Sequence, residues 1–143
     1  MEKIFITGAS GCIGHYVIDQ LLTEKDVELH LLMRNPKRCR FDYKQYPQIV
    51  IHEGSMEKIE ALEPVIRQMT KLIHIATDWS DSDYSDFINV KQTHRLFDMT
   101  DEQLCNRIIY FSTASILGPG NKPVIEAEKF GSGYVRSKYR GYQ

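Results

Sequence analysis

Apolar and polar positions along the chain alternate between two rhythms. Short aliphatic runs stand at Lys3–Thr7, Val27–Met33, Gln48–His52, Lys71–Ala76 and Arg107–Ser112, each bounded by polar, glycine or proline residues. Such runs predict strands. Between them apolar residues recur at helical spacing. Val17, Ile18, Leu21 and Leu22 predict a helix from Cys12 to about Lys25. Ile59, Leu62, Val65, Ile66 and Met69 predict one from Met56 to Met69, with a kink or break at Pro64. A third is predicted from about Tyr84 to Leu104, after an aspartate-rich loop around Trp79, and a last one starts near Tyr134. Alternating strands and helices imply an α/β protein with a parallel sheet covered on both faces. Right-handed crossovers give a doubly wound sheet of order 3-2-1-4-5, with its ligand crevice at the carboxyl ends of the first and fourth strands.

The stretch Thr7-Gly-Ala-Ser-Gly-Cys-Ile-Gly14 lies between the first strand and the first helix. That is the context a dinucleotide-binding glycine motif requires, and it makes the fold Rossmann-like. Gly8 would turn the chain sharply, Gly11 would let the backbone approach a pyrophosphate, and Gly14 would let the helix pack close to the sheet. The free N–H groups and positive end of the helix would hold the phosphates. Thr7, Gly8, Ser10, Gly11, Cys12, Ile13 and Gly14 are therefore candidate cofactor contacts. At the end of the second strand an NAD site usually carries a carboxylate for the ribose hydroxyls. Here stand Met33 and Arg34, followed by Lys37 and Arg38, and no acid lies between Val27 and Arg38 except Glu28 at the strand's start. A guanidinium suits the 2′-phosphate of NADP, so Arg34 points to NADP, with NAD as the alternative.

Composition narrows the classes. The chain has 143 residues, read as one domain, 1–143, and a formal net charge of −1. Nothing in that charge points to nucleic acid or an anionic membrane. Cys12, Cys39 and Cys105 are odd in number and widely spaced, without C-x-x-C. They suggest a reducing compartment and no metal site. No apolar run suits a signal peptide or a membrane span, so the cytoplasm is the expected location.

A second chemical signal comes late. Tyr134-Val-Arg-Ser-Lys138 puts a phenol and an ammonium at i and i+4, on one face of a helix. A nearby ammonium stabilises phenolate and lowers the tyrosine pKa from its reference of about 10, making Tyr134 a usable general acid or base. Lys138 is also placed to bond the nicotinamide ribose. The fifth strand ends in Ser112-Thr-Ala-Ser115, where a hydroxyl can point into the crevice and polarise a substrate carbonyl.

Four motifs in order, T-G-A-S-G-C-I-G at 7–14, H-I-A-T at 74–77, S-T-A-S-I-L-G at 112–118 and Y-V-R-S-K at 134–138, are joined by Asn89 in F-I-N-V. With these the chain resembles the extended short-chain dehydrogenase/reductases, the superfamily of nucleotide-sugar epimerases, dehydratases and related carbonyl reductases. The resemblance implies Tyr134 as catalytic acid/base and Lys138 as its pKa-lowering, ribose-binding partner. It implies Thr113, counted back from Gly118, as the substrate-polarising hydroxyl, with Ser112 as the fallback. Asn89 would support a proton relay through water, and Ala76 would line the cofactor. Two departures stand out. Gly54-Ser55-Met56 replaces the family's usual Gly-Asp-apolar sequence, leaving Ser55 and Met56 at the adenine contact. Leu117 replaces the tyrosine often found before that glycine in sugar-modifying members, which weighs against an epimerase.

The resemblance further implies more strands and a small substrate domain after Gln143. The chain is thus expected to be an N-terminal portion, truncated before them and inactive by itself. The expected function of the whole is hydride transfer between a nicotinamide cofactor, NADP favoured, and a carbonyl or hydroxyl of a small-molecule substrate. A nucleotide-sugar epimerase or dehydratase with tightly held NAD is the alternative. A non-catalytic NADP-sensing domain is a rival of another class, against which the Tyr134/Lys138 pair argues. A homodimer stays open for an intact-length protein.

Overall fold

Five parallel strands form one sheet of order β3-β2-β1-β4-β5 in the computed structural model, which describes residues 1–42 and 44–143. The strands are β1 (Glu2–Thr7), β2 (Val27–Met33), β3 (Ile49–Glu53), β4 (Lys71–His74) and β5 (Arg107–Tyr110). The expected order is therefore the observed one. β1 sits between β2 and β4, with Ile6 level with Leu31 on one side and Ile73 on the other. A strand covered on both faces needs apolar side chains on both, hence the unbroken Ile4-Phe5-Ile6. Ile4 and Ile6 join Leu29, Leu31 and Ile18 in one core, and Phe5 points the other way to Leu72, Ile59, Ile66 and Leu96.

The helices depart from the expected bounds for local reasons. α1 (Cys12–Leu21) stops short of Lys25. The Thr23 hydroxyl takes the Gln20 carbonyl (2.7 Å), and no apolar residue follows Leu22 until Val27. Residues 56–69 are not one kinked helix. Met56–Leu62 is a 3₁₀ stretch with non-helical Lys58, and α2 (Glu63–Ile66) starts around Pro64. In a first turn the missing proline N–H costs nothing, so Pro64 opens a helix instead of breaking one. The predicted 84–104 helix is three joined pieces, α3 (Asp83–Asp86), a π segment (Phe87–Gln92) and α4 (Thr93–Asp98). It ends early, where the Thr100 hydroxyl binds the Phe97 carbonyl (2.7 Å). β4 and β5 each end two residues before their apolar runs do.

Beyond β5 the chain makes a loop, an unanticipated α5 (Glu126–Phe130) and then α6 (Gly133–Tyr142). Ser132 caps α6, its hydroxyl accepting from Val135 N (3.3 Å). This part has its own small core of Ile116, Ala127 and Tyr139. Among the described residues no helix is long and apolar enough to cross a membrane, and no group of His, Cys, Asp or Glu side chains is placed to hold a metal ion.

Candidate active site

The glycine turn rests on the chain just after β4. Gly8 has φ +74°, and a Cβ there would lie 2.8 Å from Ala76 N. A Cβ on Gly14 would overlap the Gly8 carbonyl oxygen and stand 2.9 Å from Ala9 Cα. Both glycines are thus required by the protein's own packing. Gly11 is different. It is exposed, caps α1, and a Cβ there would meet only Gly8 O, at an ordinary 3.4 Å. No side chain caps the first turn of α1, so no side chain occupies its N–H groups. A bare backbone above uncapped donors fits a pyrophosphate.

Thr7 is buried beneath the turn. Its Oγ1 accepts from Ile75 N and Ala76 N (both 3.1 Å), so its own proton goes to His74 Nδ1 (2.6 Å). His74 Nε2 must then carry the hydrogen and donate to Thr93 Oγ1 (2.9 Å), which donates to Ile88 O (3.1 Å). The chain closes only with a neutral imidazole. Burial, assisted by the charge on Lys138, holds the His74 pKa down to about 3. Thr7 therefore joins β1 to β4 and, through His74 and Thr93, to the π segment, and it does not line the cavity described next.

A cavity of about 600 Å³ opens above the carboxyl ends of β1, β2 and β4. Of the expected cofactor residues, Gly8, Gly11, Cys12, Ile13, Gly14, Arg34, Ser55, Met56 and Ala76 line it. Thr7, Ser10 and Lys138 do not. Ser10 is exposed. Leu32, Glu57, Asp78, Trp79, Tyr84 and Ile88 also line the cavity and were not anticipated. The Tyr84 hydroxyl donates to the Glu57 carboxylate, which raises the Tyr84 pKa. A carboxylate therefore shares the cavity wall with Arg34, supplied by the segment after β3 and not by β2.

Asn89 is buried in the π segment. Its Oδ1 accepts from Asp78 N (2.8 Å) and Thr77 Oγ1 (3.0 Å), and its Nδ2 donates to Asp78 O (2.8 Å) and Ser137 Oγ (2.9 Å). Ser137 Oγ in turn donates to Tyr134 O (2.8 Å). Asn89 thus fixes the loop after β4 to the helix bearing Tyr134. π segments recur at functional sites, and this one lets α6 approach closely. A Cβ on Gly141 would be 2.5 Å from Asn89 O.

α6 brings Tyr134 and Lys138 to the same end of the sheet, beside Thr113. Lys138 is buried, with Nζ donating to Phe111 O (2.7 Å) and lying 4.5 Å from the centre of the Tyr110 ring. Burial lowers its pKa to about 8, which leaves it mainly charged at neutral pH. The expected lowering of the Tyr134 pKa is not what the structure gives. Burial raises it, and the neighbouring Thr113 hydroxyl offsets part of that. The ammonium is spent on the Phe111 carbonyl and the Tyr110 ring, and the phenol lies under the indole of Trp79, ring centres 4.4 Å apart at 22°. Thr113 Oγ1 accepts from Ser115 N (3.3 Å) and caps a 3₁₀ turn, Ala114–Ile116. Ser112 is exposed. A raised phenol stays protonated at neutral pH. Trp79 escaped the sequence reading because a single aromatic in a polar loop has no periodicity to mark it.

The model of the NAD dependent epimerase/dehydratase family matches residues 4–143. No curated protein matches the chain. Among solved structures it is similar to the terminal R domain of the myxalamid PKS-NRPS biosynthetic pathway, at 18% identity and TM-score 0.82 over 99% of this chain and 44% of that one. It is also similar to the Bordetella bronchiseptica enzyme WbmH in complex with NAD+, at 20% and 0.79 over 99% and 51%. A third is UDP-glucose 4-epimerase from Thermotoga maritima with UDP-glucose, at 18% and 0.72 over 97% and 48%. At these identities the likeness is one of fold, and the chain spans about half the length of these structures.

Proposed function

The chain belongs to the NAD dependent epimerase/dehydratase family, and from that membership we propose that it is the cofactor-holding part of an NAD(P)-dependent oxidoreductase acting on a carbonyl or alcohol. The observation that carries this reading is the placement of Tyr134, Lys138 and Thr113 at the same sheet end as the glycine-turn cavity. When bound, the nicotinamide supplies hydride exchange with a substrate carbon. The chain's own residues do the rest. The first turn of α1 and the bare backbone at Gly11 hold the pyrophosphate. Thr113 orients the substrate oxygen, and Tyr134 gives it a proton as the carbonyl becomes an alcohol, or takes one in reverse. Lys138 ties α6 to the Phe111 carbonyl just after β5, and Asn89 holds the loop after β4 in place. The family match also supports the second reading, an epimerase or dehydratase that regenerates its cofactor within each turnover. NADP preference rests on Arg34, which lines the cavity near the end of β2. Glu57 in the same wall opposes it.

Titration with NADH and NADPH tests both levels. Binding of either supports the dinucleotide reading, and binding of neither overturns it. Tighter NADPH, with a gap narrowed by about 1–3 kcal/mol in Arg34→Ala, supports the NADP preference. Equal or tighter NADH removes it. Net oxidation of the reduced cofactor with aldehydes and ketones marks an oxidoreductase. Sugar interconversion without net oxidation marks the second reading.

A further inference from the structure

Trp79 stands where the two halves of the site come together. One part of it lines the cavity shared by the glycine turn, Arg34 and Ser55. Its ring covers Tyr134, and neither Tyr134, Lys138 nor Thr113 lines that cavity. Yet the residue is 72% exposed, so little besides the phenol holds the indole where it is. Its backbone, by contrast, is fixed on both sides. Asn89 bonds both the N–H and the carbonyl of Asp78 (2.8 Å each). Ser80 N donates to the Asp78 carboxylate (3.0 Å), and Asp81 lies 3.7 Å from Arg136 and against Gly133, on α6. A side chain with one weak contact on an anchored backbone moves by changing rotamer, not by moving its loop.

We propose that Trp79 is a gate on the nicotinamide end of the dinucleotide site, resting on Tyr134 in the free protein and leaving it when the nicotinamide half enters. The inference rests on the dinucleotide reading above. It follows from the placement. On the dinucleotide reading the cavity, lined by the glycine turn, Arg34 and Ser55, takes the adenosine and pyrophosphate portions, and the indole, which lines the cavity and covers Tyr134, lies between them and the phenol. Because the closed position is held by one aromatic stack, opening is only modestly unfavourable, and the stack's strength sets the penalty on binding. Ligands that lack the nicotinamide do not meet this penalty. Trp79 thereby distinguishes dinucleotides from shorter adenosine ligands without contacting the adenosine.

Affinities for NADH and for ADP-ribose test this in the full chain and in Trp79→Ala, by calorimetry, with the 2′-phosphorylated pair run in parallel. The expected result is about 3- to 14-fold tighter NADH in Trp79→Ala with ADP-ribose unchanged. Trp79 is the chain's one tryptophan, so its emission reports the gate directly. In the parent protein it should shift with NADH and stay constant with ADP-ribose. Trp79→Phe should fall between parent and Trp79→Ala in NADH affinity. Unchanged or weaker NADH binding in Trp79→Ala, or an equal change for ADP-ribose, overturns the gate while leaving the dinucleotide reading intact. If the parent protein binds none of these ligands, the dinucleotide reading fails and the gate fails with it.

Discussion

The glycine turn is locked by backbone against backbone, whereas the helix carrying Tyr134 adds side-chain bonds to one such close approach, Gly141 against the Asn89 carbonyl. At Gly8 and Gly14 there is no room for a methyl group, because the chain just after β4, the turn and α1 touch directly. Both faces of the sheet beneath them are sealed by large cores. α6 is held by its own Tyr139 packed on Ile116 and Ala127, the Asn89–Ser137 bond, the Lys138–Phe111 bond, and Arg140 reaching Asp86 (2.7 Å) and Glu128 (2.9 Å). The Arg140 pairs are partly exposed, so each contributes little. Ile108 and Ile109 of β5, between the two regions, are 41% and 43% exposed. The difference suits the function proposed above, in which a pyrophosphate needs a fixed set of N–H donors and a proton donor must adjust to whichever oxygen arrives.

The largest effect that separates the two regions is expected from Tyr134→Phe. Turnover should fall about 10²–10⁴-fold, the contribution of a positioned proton donor, while dinucleotide affinity stays constant. Steady-state rates alongside a cofactor titration measure both. Turnover equal to that of the parent would remove Tyr134 from the chemistry. It would leave the glycine-turn region as the part that defines the protein.

Acid should break the cofactor half first, through His74. Its folded pKa, about 3, lies below the ordinary 6.5, so the unfolded chain binds more protons across that window. Stability contributed by neutral His74 is therefore present above pH 6.5 and lost as pH falls toward 3. The slope reaches about 1.4 kcal/mol per pH unit. Denaturant unfolding between pH 7 and 4 checks this. His74→Asn should start less stable at pH 7 and flatten the acid limb. A variant with the parent's acid slope would assign that slope to other groups.

The smallest change sharpens the comparison within the turn itself. Gly14→Ala should cost about 1–3 kcal/mol or more by overpacking, since the atoms it meets are backbone. Gly11→Ala should change stability by less than about 0.5 kcal/mol and still weaken dinucleotide binding. Thermal unfolding and titration of both variants measure the contrast. Equal destabilisation would mean that Gly11 serves packing and not a ligand.

Much of this was legible in the residues. Strand runs separated by helical periods determine a parallel sheet, because an aliphatic run buried on both faces has few other solutions. The right-handed crossover then determines the order and the end at which a ligand sits. Gly8, Gly11 and Gly14 stood out by spacing, and Tyr134 with Lys138 by helical period. Local hydrogen-bond competition decided the helix ends. Thr23 and Thr100 take carbonyls that would otherwise carry a helix onward. Pro64 reads equally as a break or a start until the preceding turn is known. The electrostatics of the site lay beyond sequence spacing altogether. Tyr134 and Lys138 are four residues apart on any helix. Whether the ammonium lowers the phenol's pKa depends on what else the ammonium touches, here the Phe111 carbonyl and the Tyr110 ring. Trp79 lies 55 positions from Tyr134 in sequence and 4.4 Å from it in space. Local periodicity carries information over a few turns of chain. Contacts between loops from different strands are set by the sheet that brings them together, so they exist only once the whole fold has formed.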